Sequence, residues 1–497
     1  MKPKVIARLC FIITILCSLR ACQLYWSSTK ELRSTRGSLW PFSHKKDTDS
    51  ELKVRQSTIQ QNISQQIHIL DDKLDGLFYF TQISDLHISK YRAKGHTIHF
   101  LQFIQSVLPI IKPEFVVVTG DLTDAKDRKR ITSQQYIEEW KVYKAAIEQQ
   151  TWTNTTWYDM RGNHDCFDLP SWQSRVNLYR TYGQSANKVE EGQGIYSWNH
   201  TQPYGDYQFV AIDACPKRGP SRPFNFFGYL TSNTMDRLSH ALMKPANHTF
   251  VFSHYPTTTM VFGVSQHGLG DILQSYDPMT QTLELELGDM KDHGMYRIVA
   301  VDHDIISFVD ARLPQAPSTQ TKKSSLIPLM NDNTIEWPDS KPAVPPVILI
   351  TNPKDARFVL DKKEPLDRIQ SSSHIRFLVF TDQPPDQLTI QIKIDGKLIN
   401  ANYKSSNDNN GDQKENFTRY VGNKKNPLWV HPWNPLDYQY GSHVLSIQVK
   451  TSSGLIGEST ILFRTDGKRL DIEGGAGEWI ISSHMTTLVN TYDYIYT

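Results

Sequence analysis

Between residues 77 and 313, short apolar runs alternate with segments of helical spacing and with polar turns. The runs that predict strands of a buried sheet begin at Leu77, Phe115, Trp157, Tyr207 and His248. FLQFIQSVLPII (100–111) and YIEEWKVYKAAIEQ (136–149) have the apolar spacing of helices. TLELELGD (282–289) and YRIVAVDHDIISFVDARL (296–313) alternate as antiparallel strands do. The order predicts an α/β domain over residues 76–313, with a central sheet flanked by helices.

A second domain of different texture follows. Residues 314–345 are rich in proline, serine, threonine and lysine, a composition typical of a linker. Residues 346–467 contain runs that alternate with a period of two, among them HIRFLVF and LTIQIKIDGKLI, in which Asp395 and Gly396 predict a hairpin turn. This pattern predicts an all-β, immunoglobulin-like sandwich that lacks the usual cysteine pair.

The N-terminus predicts entry into the secretory pathway. Basic residues precede the apolar run LCFIITILCSL (9–19), which is short for a membrane span of roughly 20 residues and suits the roughly 7–15 of a signal-peptide core. We therefore expect residues 1–22 to be a signal peptide or signal anchor, residues 23–75 a polar stalk and residues 468–497 a C-terminal tail. N-x-S/T sequons occur at Asn62, Asn154, Asn199, Asn247 and Asn416. Membrane association is expected, with the main body lumenal or extracellular.

Composition and charge narrow the function classes. The chain has 497 residues, of which 39% are hydrophobic and 21% charged, the balance of a globular protein. Its net charge is +2 and no basic block is interleaved with aromatic residues, so we expect no nucleic-acid partner. Beyond the N-terminal segment, Cys166 and Cys215 are the only cysteines; one bridge between them is possible, and two unpaired thiols are at least as plausible.

Four of the predicted strands are followed by side chains that can bind metal. These side chains are Asp85 and His87, Asp121 and Asp124, Asn163 with His164 and Asp165, and His254. Because ligands bind outside the carboxyl ends of the strands in an open α/β sheet, we expect one polar cluster there. Carboxylates, imidazoles and an amide oxygen suit hard or borderline divalent metals. A carboxylate such as Asp121 can bridge two ions, and two ions can clamp a phosphoryl group.

In order and spacing, the motifs SDLH, GDLTDAK, RGNHD and FSHYP resemble those of the calcineurin-like metallophosphoesterase superfamily, over roughly residues 77–313. The resemblance implies a metallophosphoesterase-type β-sandwich core flanked by helices. It implies a divalent metal cofactor, as two ions, which the sequence does not identify as Mn, Fe or Zn. It also implies a phosphoester substrate, and nothing in the loops selects one kind.

The resemblance carries roles for particular residues. The first ion would be held by Asp85, His87 and Asp121. The second would be held by the same bridging aspartate together with Asn163 and His254. Two further residues would be catalytic: His164 beside the phosphate, as its cationic or proton-donating partner, and Asp124, which would orient that imidazole.

Other candidates have simpler interpretations. His96 and His99 lie at the start of a helix and are better explained as surface or packing residues than as ligands. Asp302-His303-Asp304 stands between two apolar runs and predicts a hairpin turn. Cys166 has no base beside it in the sequence, so we interpret it as a small packed thiol and not as a nucleophile.

One part of the superfamily pattern is missing. The superfamily closes its site with a G-H-x-H block after the isolated histidine, which gives one imidazole to each ion, and this sequence contains no such block. The only histidine between His254 and Thr282 is His267. It is either a substitute ligand or a residue without that role. Two hypotheses follow. The first is a phosphoester hydrolase that the missing block would impair. The second is a catalytically inactive binding or scaffolding protein whose sandwich domain engages a protein partner.

Overall fold

The structure is a computed structural model of the chain. It describes residues 70–92, 96–151, 153–216, 219, 227–262, 282–314, 330–331, 334–335, 337–338, 341–399, 417–423 and 425–470. The predicted signal segment, most of the predicted stalk and tail, and His267 lie outside these residues. Within these ranges, no helix combines the length and the apolar character that crossing a bilayer requires.

The N-terminal domain follows the predicted alternation. Its strands are β1 (Leu77–Ile83), β2 (Phe115–Thr119), β3 (Thr156–Met160), β4 (Ile195–Gln202), β5 (Gly205–Ile212), β6 (Gly228–Leu230), β7 (His248–Ser253), β8 (Met260–Phe262), β9 (Met295–Asp302) and β10 (Ile305–Arg312). Its helices are α1 (Ile98–Gln102, continued by a π-helical stretch Phe103–Val107 and by Leu108–Ile111), α2 (Ile137–Glu148), α3 (Tyr179–Tyr182), α4 (Ala186–Gly192), α5 (Ser232–Leu242) and α6 (Met290–His293). The helices predicted over residues 100–111 and 136–149 are confirmed.

Two sheets form the core of this domain. The larger sheet has the order β10-β9-β1-β2-β3, in which β1, β2 and β3 are parallel and β9 is antiparallel to β1. The smaller sheet has the order β4-β5-β7, and β6 pairs with β8. Aromatic rings join the two sheets: the Phe80 ring lies 5.3 Å from that of Phe209 and 5.5 Å from that of Phe250. All five residues of the central strand β2 are buried, as expected for a parallel strand covered on both faces. The predicted β-sandwich core is confirmed.

The strand predicted over residues 282–289 is wrong. Only Thr282 makes a β-bridge, and residues 283–289 have no regular structure. The buried Arg297 guanidinium donates to the main-chain oxygens of Leu285 and Glu286, at 3.3 and 2.9 Å. Those carbonyls are the acceptors that a neighbouring strand would need, so a tertiary contact replaces the ladder that the alternating pattern suggests.

The C-terminal domain is all β, as predicted. After a short pair, β11 (Met330–Asn331) and β12 (Thr334–Ile335), its strands are β13 (Val347–Asn352), β14 (His374–Phe380), β15 (Leu388–Ile394), β16 (Lys397–Leu398), β17 (Arg419–Tyr420), β18 (Leu428–Pro432), β19 (His443–Thr451) and β20 (Ile456–Phe463), with one short helix, α7 (Asp367–Gln370). The sheets β13-β14-β18-β17 and β16-β15-β19-β20 enclose a core of aliphatic and aromatic residues. Asp395 and Gly396 have φ of 49° and 77°, which confirms the predicted hairpin turn.

A buried ion pair joins the two domains. The hairpin turn predicted at residues 302–304 is confirmed, because it connects β9 to β10. Asp302 at its start accepts hydrogen bonds from Arg376 of β14 at 2.8 and 3.0 Å, and from Thr351 of β13 at 2.6 Å. Leu70, in the segment assigned from the sequence to the stalk, is fully buried beside α7 and β10.

Candidate active site

The loops after β1 and β2 turn off the sheet through left-handed backbone. Asp85, His87 and Asp121 have φ of 54°, 44° and 52°, values that non-glycine residues adopt rarely. The two loops are joined by main-chain hydrogen bonds, from the Asp85 N–H to the Gly120 oxygen at 3.0 Å and from the His87 N–H to the Asp121 oxygen at 2.9 Å. This arrangement turns consecutive polar side chains towards one point, and strained backbone of this kind clusters at functional sites.

Two glycines allow the loops to approach each other. A Cβ on Gly120, whose φ is 89°, would stand 2.7 Å from the Gly162 nitrogen and from the His254 Cβ. A Cβ on Gly162 would stand 2.2 Å from Oδ1 of Asp121. Both distances are far inside van der Waals contact, so only glycine lets three strand ends meet here.

Asp85, His87 and Asp121 form the first group of potential metal ligands. One donor atom from each lies within 4.8 Å of the others. Nε2 of His87 lies 3.1 Å from Oδ2 of Asp121 and 3.5 Å from Oδ1 of Asp85. The Ser84 hydroxyl donates to Oδ2 of Asp85 at 2.8 Å and orients that carboxylate. Carboxylate oxygens and an imidazole nitrogen in this arrangement fit a borderline divalent cation.

Asp121, Asn163 and His254 form the second group. Nε2 of His254 lies 3.0 Å from Oδ1 of Asn163 and 3.5 Å from Oδ1 of Asp121. Nδ1 of the same ring donates to the main-chain oxygen of Thr119 at 2.9 Å, which keeps Nε2 facing the group. Burial lowers the pKa of this ring, but the Asp121 and Asp85 carboxylates outweigh burial and raise it, so a metal ion would take Nε2 in place of a proton. The two carboxylate oxygens of Asp121 therefore face different groups, as a bridging ligand requires.

Electrostatics favour an ionised Asp121. Burial alone would raise the pKa of this carboxyl, but the rings of His164, His254 and His87 around it hold its pKa well below the ordinary value. Because the pKa of His164 is itself lowered and those of His254 and His87 are raised, the last two rings carry this effect. Burial lowers the pKa of the His87 ring. The nearby carboxylates, Asp121 first, raise it and outweigh burial, so this pKa lies well above its ordinary value. The ammonium of Lys291 lies 3.1 Å from Nε2 of His87. The cluster is thus held by mutual attraction of opposite charges, which a cation can replace.

His164 reaches the same cluster from the loop after β3. Its Nε2 lies 3.8 Å from Oδ2 of Asp121, and its Nδ1 lies 2.6 Å from the main-chain oxygen of Asp124. The Asp124 carboxylate is farther from this ring, at 3.9 Å, and accepts from the Ser89 hydroxyl at 3.0 Å. Asp124 therefore orients His164 through its carbonyl and not through its carboxylate. Burial lowers the pKa of His164 to about 3, which favours the neutral ring over the cationic form proposed from the sequence.

Asp165, which sequence reasoning did not assign a role, organises the loops. Its fully buried carboxylate accepts from the N–H groups of Leu122, Thr123 and Gly162 at 2.8–3.0 Å. It thereby ties the loop after β2 to the loop after β3. The signal available in the sequence was its place in the G-N-H-D motif, where a fourth polar residue after a buried strand needs buried partners.

A disulfide bond closes the same region. Cys166 and Cys215 are bonded, with their Cα atoms 6.5 Å apart, so the interpretation of Cys166 as a packed thiol is wrong. The two residues follow strands of different sheets, β3 and β5, and only the sandwich brings these strand ends together. Nearby, the buried Arg161 forms an ion pair with Asp213 at 2.7 Å, again between the ends of β3 and β5.

The remaining histidine candidates support the site without facing it as ligands. His96 is buried, and its Nδ1 lies 2.9 Å from the main-chain oxygen of His87. Nδ1 of His99 lies 2.8 Å from the main-chain oxygen of Met290. Both are packing residues, one of the two interpretations made from the sequence.

The comparisons with known proteins agree with this geometry. Residues 78–280 match the family model of the calcineurin-like phosphoesterases, and residues 342–469 match the model of the TMEM62 Ig-like domain. The chain is 33% identical to transmembrane protein 62 of Mus musculus over an alignment of 401 residues. This alignment covers 76% of the chain and 54% of the mouse protein. The chain is 28% identical over 206 residues to the Arabidopsis thaliana protein "Putative metallophosphoesterase At3g03305", which covers 39% of this chain and 28% of that protein.

The chain thus spans about half the length of the mouse relative and just over a quarter of the plant relative. The resemblance inferred from SDLH, GDLTDAK, RGNHD and FSHYP is confirmed. Residues 78–280 are thus a domain of the calcineurin-like phosphoesterase type, followed at residues 342–469 by an immunoglobulin-like domain of the kind found in transmembrane protein 62.

Proposed function

We propose that this protein is a metal-dependent phosphoester hydrolase. The observation that carries the proposal is the position of Asp121. Its Oδ2 faces His87 of the first ligand group at 3.1 Å, and its Oδ1 faces His254 of the second at 3.5 Å. One buried carboxylate between two groups of oxygen and imidazole donors is the arrangement that a two-metal hydrolytic site needs.

The residues present fit divalent ions. Asp85, His87 and Asp121 would hold the first ion, and Asn163 and His254 would complete the second with the shared carboxylate. When bound, such ions supply Lewis acidity and an activated water for displacement at phosphorus. The chain's own part is to fix the donor atoms before binding, since loop hydrogen bonds and the Thr119 carbonyl already orient them.

His164 has a distinct part in this proposal. Its ring is held by the Asp124 carbonyl, so Nδ1 carries the proton and Nε2 faces the cluster. A neutral imidazole in this orientation can accept a hydrogen bond from a water or from a protonated phosphate oxygen at Nε2. Proton donation to the leaving group would require the ring to take up a proton first, which its lowered pKa opposes in the absence of a bound anion.

The alternative function is a catalytically inactive, phosphoesterase-like binding or scaffolding protein. The observation that favours it is the missing G-H-x-H block, because each ion then has one imidazole fewer than the superfamily pattern provides. The stretch between His254 and Thr282 where the block would stand falls mostly outside the described residues. In this alternative, the sandwich domain would engage a protein partner.

Hydrolysis of bis-p-nitrophenyl phosphate with added manganese tests the proposal. We expect slow hydrolysis by the chain as it stands, and its loss in Asp121→Asn. A second protein with a G-H-x-H strand inserted between His254 and Thr282 should bind more manganese and hydrolyse faster. No metal binding and no hydrolysis by either protein would contradict the hydrolase and leave the scaffolding function. Equal, robust hydrolysis by both would show that another residue, such as His267, closes the site.

We also propose that the body of the protein lies on the lumenal or extracellular side of a membrane system. The Cys166–Cys215 disulfide supports an oxidising compartment, and the name of the mouse relative supports membrane association. Asn154 and Asn199 are exposed, whereas the Asn247 side chain bonds to Asp206 and Asp304. Endoglycosidase treatment of cell-made protein should therefore remove glycan from Asn154 and Asn199 and none from Asn247. An unchanged gel band with cytosolic fractionation would contradict this location.

A further inference from the structure

Lys291 is held beside the first ligand group by the main chain. It lies in α6, a four-residue helix whose first turn is capped by Asp289. The N–H of Met290 donates to the Ser84 oxygen and that of Lys291 to the Asp85 oxygen, both at 3.0 Å. These bonds join α6 to the loop that carries Asp85, so the lysine side chain starts from a fixed position next to the cluster.

The ammonium of Lys291 contacts a potential metal ligand directly. Its Nζ lies 3.1 Å from Nε2 of His87, the ring nitrogen that faces Asp85 and Asp121. An ammonium has donors and no acceptor, so it can bond to Nε2 only through the lone pair, with the ring proton on Nδ1 beside the Asp124 carboxylate at 3.4 Å. A metal ion at the first group needs the same lone pair. The ammonium and the ion are therefore alternative partners of one atom.

The charges of the first ligand group also make Lys291 and a metal ion alternative partners. The first group contains the carboxylates of Asp85 and Asp121, and the Asp124 carboxylate lies 3.4 Å from the other nitrogen of His87. A cation stabilises such a cluster whether it is a bound ion or a protein side chain. Lys291 supplies one that is tethered and therefore always present at high local concentration.

We propose that Lys291 is a built-in competitor of the first metal ion, so that the protein binds one divalent ion well, at the Asn163–His254 group, and the other weakly. This inference rests on the ligand set of the proposed function, and it assigns to Lys291 a role in metal stoichiometry. The missing G-H-x-H block strengthens the competition. Without it, the ion has one imidazole ligand fewer, whereas the contact of Lys291 with His87 does not depend on the block.

Calorimetric titration of the full-length protein with manganese chloride tests the competition. Lys291→Met keeps the length of the side chain and removes its charge. We expect this variant to gain a second equivalent of manganese, or to bind the weaker ion roughly 10- to 100-fold more tightly, the size of effect that neighbours of metal ligands commonly have. Because the added ion should use Asp85, the double variant Lys291→Met/Asp85→Asn should lose the gain.

Lys126→Met is the matched control. Nζ of Lys126 lies 3.8 Å from the Asp124 carboxylate, so it is a cation of the same cluster that pairs with a carboxylate oxygen. We expect a smaller change in this variant, from loss of repulsion alone. Thermal unfolding of each protein without metal confirms that the variants are folded.

The outcomes separate this inference from the proposed function. Two ions bound with equal strength by the parent and by Lys291→Met would overturn the competition and leave the hydrolase. A gain as large in Lys126→Met would reduce the effect to general electrostatics and also overturn it. Absence of manganese binding in all variants would overturn both the competition and the metal site itself.

Discussion

Replacing Asp121 by asparagine should damage metal binding more than any other single change in the cluster. The substitution keeps the size of the side chain and its Oδ1 acceptor, to which the main-chain N–H of His164 donates at 2.9 Å. It removes one negative charge that is almost fully buried and faces both ligand groups. The change is therefore local in shape and large in charge.

The magnitude follows from burial and distance. Two unit charges at about 4 Å interact by roughly 4 kcal/mol when the effective dielectric constant is about 20, a value suitable for protein sites. Each ion carries two charges, so the loss is at least this large. Since about 1.4 kcal/mol corresponds to a tenfold change in binding, the affinity for each ion should fall by at least roughly a thousandfold. Asp85→Asn is the comparison, because Asp85 faces only the first group and its side chain is 26% exposed. Asp85→Asn should weaken the binding of the first ion and leave the binding of the second ion unchanged.

The assay is elemental analysis of purified, dialysed protein, followed by manganese titration of the parent, Asp121→Asn and Asp85→Asn. We expect Asp121→Asn to retain almost no metal and Asp85→Asn to retain the ion of the second group. Metal content unchanged in Asp121→Asn would refute the bridging role. Equal losses in both variants would show that the two groups are not separate positions.

Three further predictions concern the scaffold. Gly162→Ala should reduce manganese content as Asp121→Asn does, since its Cβ would displace the Asp121 carboxylate; normal metal content with an intact fold would contradict the packing described. Arg376→Met should lower the free energy of urea unfolding by about 3 kcal/mol, because the buried Asp302 carboxylate then keeps only the Thr351 hydroxyl and the His303 ring as partners among the described residues. Adding Asp302→Asn should restore part of the loss. Burial, with the neighbouring His374, lowers the pKa of His431 to about 4, below the ordinary value of 6.5. As the pH falls, the unfolded chain therefore binds this proton before the folded chain does. Stability that is present above pH 6.5 is lost as the pH falls towards 4, by about 3 kcal/mol. His431→Gln should flatten the pH dependence of the free energy of urea unfolding in this range, and the same pH dependence in the parent and the variant would contradict the assignment.

The candidate ligand residues could be predicted from the sequence because each lies within a few residues after an apolar strand. In β2 four of the five residues are apolar, so the polar residues after it mark the sheet edge without knowledge of the fold. The motif spacing then identified the superfamily, and the β-only texture after residue 346 identified the second domain. Errors arose where a side chain from elsewhere in the fold intervened, as Arg297 does at the carbonyls of residues 285 and 286.

The sequence by itself determined the kinds of donor atoms, their order along the chain and the class of fold, since these follow from local pattern and strand-end position. Only the tertiary structure decided which atoms meet. The Cys166–Cys215 bond and the contact of Lys291 with His87 each join segments that no local pattern relates, 49 and 204 residues apart. The physical reason is that hydrophobic burial selects the sandwich as a whole, and the sandwich then brings distant strand ends to one edge, where hydrogen bonds and charges set the final partners.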